Sequence, residues 1–308
     1  MVKLREIAGS EEQLTCGHRL CTGCAEPVVV RQILHAAENP VVIANATGCL
    51  EVATTIYPFS AWKVPWIHSA FENTAATISG VEAAYRSLKR QGKIDRKIDF
   101  IAFAGDGGTY DIGLQSLSGA LERGHDMLYV CLDNEAYMNT GIQRSSATPK
   151  GAWTTTTPVG KNVRGKPEFK KDITAIVAAH GIPYVAQASP SHWMDLMNKV
   201  QKALRIEGPT FLNVLAPCPR GWRNEPEESI HLARLAVETY YWPLYEIEDG
   251  VWKVNLKPRK KPLEEYLKPQ KRFAHLFKPD NKPLLDDLQR MVDKRWETLL
   301  KKVEGQQQ

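Results

Sequence analysis

Apolar residues in this chain fall into short unbroken runs separated by amphipathic stretches, the pattern of strands buried on both faces between covering helices. Val41 to Ala46, Phe100 to Ala104, Met127 to Leu132, Tyr184 to Gln187 and Thr210 to Leu215 form such runs and are expected as strands of a mostly parallel sheet. Helical periodicity covers Phe71 to Arg90, Asp111 to Arg123, Asp172 to His180 and His192 to Ile206. The alternation predicts a doubly wound α/β fold, in which ligands bind beyond the carboxyl ends of the strands.

After Gly250 the pattern changes. Pro258, Pro262, Pro269, Pro279 and Pro283 interrupt regular structure. A helix is then expected from Leu284 to Val303, with Leu285, Leu288, Val292, Trp296, Leu299 and Leu300 on one stripe. From Val251 onward 15 Lys or Arg stand against 8 Asp or Glu, a net of +7 in a chain whose formal charge is +5. The expected organisation is a domain over residues 1–250 and a basic, extended C-terminal arm over 251–308. A solvated basic surface is the plainer reading of that arm. Trp252, Tyr266, Phe273, Phe277 and Trp296 are out of place in a disordered tail and suit an arm that contacts a partner subunit. The charge density is too modest for nucleic acid, and no nucleic-acid-binding module is recognisable.

At 308 residues and 43% hydrophobic content, the chain can bury the core of one large domain or two small ones. No apolar run reaches the roughly 18 residues that a membrane helix needs, and MVKLREIAGSEEQ carries no signal-peptide core. A cytoplasmic location is expected, with no membrane contact. Six cysteines in such a chain stay reduced there and favour metal or redox chemistry over disulfides.

Cys21, Cys24, Cys49 and Cys218 are spaced like iron-sulfur ligands. A Cys-x-x-Cys pair holds one edge of a cluster, and a distant cysteine followed by proline, as in Cys218-Pro219, is a common last ligand. Zinc suits four thiolates equally well. Cys131 lies inside an apolar run and reads as core; Cys16 is close enough to the pair in sequence to be mistaken for a ligand, and its role stays open. Between the third and fourth cysteines a strand runs into Gly105-Asp106-Gly107-Gly108-Thr109, with a helix beginning at about Asp111. Strand, glycine turn and helix form a phosphate-binding architecture, with Asp106 available to a bridging divalent metal. Asn134 follows Asp106 by 28 positions, at the end of the next apolar run. Neighbouring parallel strands would set the two side by side, suited to octahedral Mg2+.

This pairing resembles the thiamine diphosphate motif, GDG followed by Asn. Together with CTGCAEP, NATGC, FENTAATISGVEAAY, DNEAYMNTGIQRSSATPKGAWTTTTP and APCPRGW, it resembles the beta subunit of pyruvate:ferredoxin oxidoreductase, within the 2-oxoacid:ferredoxin oxidoreductase family. The likeness runs from about Gly17 to Leu244. It implies that Cys21, Cys24, Cys49 and Cys218 hold a 4Fe-4S cluster, and that Asp106, Asn134 and the Ala136 carbonyl hold Mg2+. It further implies that Gly107, Gly108 and Thr109 line the diphosphate, that Glu26 and the segment around Cys49 touch the cofactor, and that Glu135, Ala136, Tyr137, Met138, Asn139 and Thr140 close over it. Asn139 is the candidate for polarising the substrate.

The implied reaction is oxidative decarboxylation of pyruvate, with electrons passing through the cluster to ferredoxin and the acyl group to coenzyme A. Branched 2-oxoacids, 2-oxoglutarate and oxalate remain open as substrates. The glutamate that activates thiamine is expected on an alpha subunit carrying the pyrimidine-binding domain, with gamma and delta chains, or their fused equivalents, completing the complex. His18, His125 and His180 read as ordinary polar or core histidines. His68, ahead of a helix expected to face the cofactor, is a candidate proton shuttle, and Arg144, Ser145 and Ser146 follow the cofactor loop. A non-redox thiamine enzyme of the acetolactate synthase type is disfavoured by the cysteines. A zinc-stapled structural subunit gives no reason for Asp106 and Asn134 to pair.

Overall fold

In the computed structural model, which describes residues 4–306, one eight-stranded sheet organises the chain. The strands are β1 (Val41–Ala46), β2 (Trp66–Ser69), β3 (Asp99–Gly105), β4 (Met127–Asp133), β5 (Tyr184–Ala188), β6 (Pro209–Leu215), β7 (Tyr245–Glu248) and β8 (Val251–Val254). Their order is β2-β1-β3-β4-β6-β5-β7-β8. The first six are parallel, and β7 and β8 close the edge antiparallel.

The five expected strands are all present, in a mostly parallel sheet covered by helices. Along β4 the reason is visible: Leu128, Val130 and Leu132 bury into one layer, while Met127, Tyr129 and Cys131 bury into the other. A strand covered on both faces needs apolar side chains at every position. The helices Glu26–Ala36 and Trp193–Arg205 supply the first layer, and Thr74–Arg90 and Leu114–Glu122 the second. β2, β7 and β8 escape the hydrophobic pattern. β2 is a half-exposed edge strand of four residues, and β7 and β8 carry Glu246, Glu248 and Lys253.

Two expectations change in detail. The helix expected from Asp111 starts earlier, as a π-helical turn over Gly107–Ile112, with the Gly113 N–H donating to the Gly108 carbonyl at 2.8 Å. Such turns are uncommon and occur frequently at functional sites. The stretch expected as an extended arm lies along the chain's own body. Position 250 is the turn of the β7–β8 hairpin. Trp252 stacks on Tyr245 at 5.6 Å and Trp296 on Tyr240 at 4.1 Å between ring centroids. Tyr266 and Phe273 are fully buried in a third apolar cluster with Trp222 and Leu232. The aromatic residues thus have partners on their own chain, and the Lys and Arg side chains lie outside them except for Arg272, which is buried. Among the described residues no helix is long and apolar enough to cross a membrane.

Because Trp296 anchors the helix Lys282–Glu304 to the sheet layer, Trp296→Ala should cost about 3 kcal/mol in urea unfolding. A loss under about 1 kcal/mol would mean that this helix is not docked.

Candidate active site

β3 and β4 are neighbours, with Gly105 opposite Leu132, so Asp106 and Asn134 leave the sheet side by side. The Asn134 N–H donates to Asp106 Oδ1 at 3.3 Å, and Ser145 Oγ donates to Asp106 Oδ2 at 2.5 Å. Asn134 Nδ2 donates to Glu26 Oε1 at 3.0 Å, across from the first turn of the helix Glu26–Ala36. Glu26 is buried, and among the described residues its Oε2 has no partner and neither has Nδ2 of Asn45 at the end of β1. A buried acceptor and a buried donor without partners are costly, and both residues line one cleft.

That cleft is bounded by Asn45 to Leu50, Gly105 to Gly108, and Ala136 to Thr140. Gly107 is where the walls meet most closely: a Cβ there would lie 2.2 Å from the Tyr137 ring, whose hydroxyl donates to the Gly107 carbonyl at 2.9 Å. The cavity volume is only about 40 Å³, far below the roughly 300–1,000 Å³ of a complete ligand pocket. This chain forms a cradle with an open side, and Asn139 and Thr140 are exposed on it.

Burial pushes the Asp106 carboxyl well above the usual range, and the neighbouring Asp133 adds to it. Burial also pushes Glu26 up to about 7, against the Asn134 hydrogen bond. Below them lies a buried charge cluster. Lys170 Nζ lies 2.7 Å from Asp133 and 3.0 Å from Glu135. Arg272, from the C-terminal stretch, donates to Glu135 Oε2 at 2.5 Å, and the Tyr241 hydroxyl to Oε1 at 2.5 Å. Although both carboxyls share Lys170, burial raises Asp133, whereas Lys170 and Arg272 outweigh burial at Glu135 and hold it below its ordinary value. Glu135 adopts a left-handed backbone, φ 70°, strained for a non-glycine residue and held by these partners.

The cysteine ligand candidates gather beside the cleft. Cys49 lines it at the first turn of the helix Cys49–Thr54. Cys218 follows β6, next to β4, and its segment is tied in when the Trp222 Nε1–H donates to the Asn134 carbonyl at 2.8 Å. The Ala25 N–H donates to the Pro217 carbonyl at 3.2 Å, joining the Cys21–Cys24 loop to the same corner. Burial first, then Glu26 and the other cysteines, push the Cys24 and Cys49 thiols up; Cys218 is pushed up to about 11, chiefly by burial. Thiolates at these positions call for a compensating cation. Among the described residues, no three His, Cys, Asp or Glu side chains lie close enough to hold a single metal ion.

Several expected residues stand elsewhere. Thr109 is buried outside the cleft, with its hydroxyl donating to the Gly105 carbonyl at 2.9 Å. Glu135 turns inward to Lys170 and Arg272 rather than over the cleft. His68 sits on the edge strand β2, bonded to Thr47 Oγ1 at 2.7 Å. Arg144 and Cys16 are exposed, and Cys131 is core. Sequence reasoning missed Asn45, Lys170, Tyr241 and Arg272. Of these only Asn45 carried a signal, being the polar residue that ends an apolar run.

The chain matches the family model described as thiamine pyrophosphate enzyme, C-terminal TPP binding domain, over residues 46–214. It is 57% identical to the pyruvate synthase subunit PorB of Thermotoga maritima, covering 96% of this chain and 94% of that protein. The chain belongs to the family of PorB subunits. It is accordingly a subunit of a thiamine diphosphate-dependent 2-oxoacid:ferredoxin oxidoreductase, and works within a multi-subunit enzyme. Identity to the PorB subunit of Pyrococcus furiosus is 48%, over 92% of each chain, and to the ketoisovalerate oxidoreductase subunit VorB of Pyrococcus abyssi 46%, over 98% of this chain and 97% of that one. A 2-oxoglutarate:ferredoxin oxidoreductase structure from Magnetococcus marinus shares the fold at TM-score 0.56 and 19% identity, covering 70% of this chain and 77% of that one.

The raised carboxyl of Glu26 has a sign that can be checked. A folded value near 7 against about 4.3 in an unfolded chain gives stability that is present below about pH 4.3 and lost as pH rises through about 7. In cofactor-free protein Glu26→Gln should therefore gain on the order of 3 kcal/mol over the parent at pH 8 and almost nothing at pH 4. Equal differences at the two pH values would contradict the assignment.

Proposed function

We propose that this chain supplies the diphosphate and metal half of a pyruvate:ferredoxin oxidoreductase active site together with its first electron acceptor. The observation that carries the reading is the cleft itself, where Asp106 and Asn134 stand side by side with unpartnered Glu26 Oε2 and Asn45 Nδ2 at its wall and four cysteines at its margin. These residues fit the implied groups. Asp106, Asn134 and the Ala136 carbonyl would hold Mg2+, whose charge would offset the burial that now disfavours the Asp106 carboxylate. Gly107 and Gly108 let a diphosphate approach the backbone closely.

Thiamine diphosphate, when bound, supplies the carbanion chemistry that decarboxylates 2-oxoacids. Cys21, Cys24, Cys49 and Cys218 would hold a 4Fe-4S cluster, which accepts electrons singly for ferredoxin. Exposed Asn139 is available to donate to the substrate carbonyl. Tyr137, packed on Gly107, excludes water from one flank. The open side and small volume support completion by a partner that brings the pyrimidine-binding domain and the activating glutamate; coenzyme A then takes the acyl group. Pyruvate is the substrate favoured by the relatives' names. The VorB relative keeps a branched 2-oxoacid as the second reading.

Asp106→Ala should leave a folded protein that retains no thiamine diphosphate or Mg2+ through gel filtration; retention equal to the parent would remove the cleft from the mechanism. Anaerobically purified complex should carry about four iron per cluster at this chain, lost in Cys218→Ser with thiamine diphosphate still bound. Stoichiometric zinc would replace the redox reading by a structural one. Ferredoxin reduction by the complex should be faster with pyruvate than with 2-oxoisovalerate, and the reverse order would move the assignment to the branched acids.

A further inference from the structure

A second cavity, of about 680 Å³, lies between the helix Lys282–Glu304, the β7–β8 hairpin and the ends of β5 and β6. It shares no lining residue with the cofactor cleft. Its size falls within the range of small-molecule pockets, and its lining holds six Lys or Arg against two Asp.

The charges differ in availability. Lys170 is committed to Asp133 and Glu135, and Asp287 to Lys150. Lys294 is exposed and has no side-chain partner among the described residues, and exposed Lys302 rests over the Trp252 ring at 4.0 Å. These two form a cationic rim on the C-terminal helix. Tyr245, Trp252 and Trp242 also line the cavity, with Tyr245 stacked on Trp252 at 5.6 Å and Lys170 over the Trp242 ring at 4.7 Å. At the floor is Asn213 of β6, which is 2% exposed. Its Nδ2 donates to the Tyr110 hydroxyl at 2.9 Å, while its Oδ1 has no partner among the described residues. A buried acceptor left open in a lined cavity calls for a donor from a ligand.

We propose that this cavity binds a nucleotide whose base bears an amino group. The base N–H meets Asn213 Oδ1, and the phosphates reach Lys294 and Lys302 at the rim. The same chemistry is offered by a free adenine nucleotide and by the nucleotide end of coenzyme A, so the two are compared directly.

The test is calorimetric titration of the assembled complex, saturated with thiamine diphosphate so that its own cleft is filled, using ADP, coenzyme A, adenosine and inorganic phosphate. ADP should bind, adenosine more weakly. The exposed double variant Lys294→Glu/Lys302→Glu should weaken ADP by about tenfold or more and leave adenosine unchanged. Asn213→Leu should weaken both. Coenzyme A binding more tightly than ADP, and losing affinity in the same variants, assigns the site to the cosubstrate; ADP binding more tightly assigns it to a free nucleotide. No binding of ADP, binding that the rim variant does not alter, or a partner subunit filling the cavity in the complex would each overturn the proposal. The rim positions are on the surface, so that arm stands even where Asn213→Leu fails to fold.

Discussion

Three carboxyl groups, those of Asp106, Asp133 and Glu135, are fully buried where β3 and β4 end. Taking such groups out of water costs several kcal/mol each unless they are paired or protonated. Lys170 and Arg272 answer for two of them. Asp106 accepts hydrogen bonds from Ser145 and the Asn134 backbone, yet burial still pushes its carboxyl toward the protonated form. A divalent cation would offset the burial of that carboxylate, which is the physical reason for proposing the metal and diphosphate site at this strand end.

The same geometry brings the proposed cofactor cleft and the cysteines together. β4 and β6 are adjacent, one ending in Asn134 and the other leading to Cys218, and the Trp222 indole bridges the two by donating to the Asn134 carbonyl. Met138 of the cofactor loop packs so closely on Gly221 that a Cβ there would lie 2.2 Å from its sulfur. The proposed path for electrons would therefore follow from strand order alone.

The parts legible in the sequence were those with a local cause. Strands such as β1 and β4 are apolar at nearly every position because both faces are covered, and the Asp106 and Asn134 pair could be read because each ends such a run. Strands β2 and β8 were hidden because an edge strand tolerates polar residues, and β7, paired on both sides, because it is only four residues long and carries Glu246 and Glu248. Lys170, Tyr241 and Arg272 were illegible for another reason. Each lies at least 35 positions from Glu135, and nothing in their own surroundings indicates a buried partner. Thr109 shows the opposite limit: a motif identifies which residues make a turn, and packing then decides which of them face the ligand.

Arg272 belongs to the C-terminal stretch, yet it holds a residue adjoining the proposed metal ligands. The tail is thus internal to the support of the loop that carries that residue: a chain cut or exchanged ahead of position 272 would lose a guanidinium that balances Glu135 and leave a carboxylate under-paired in the interior.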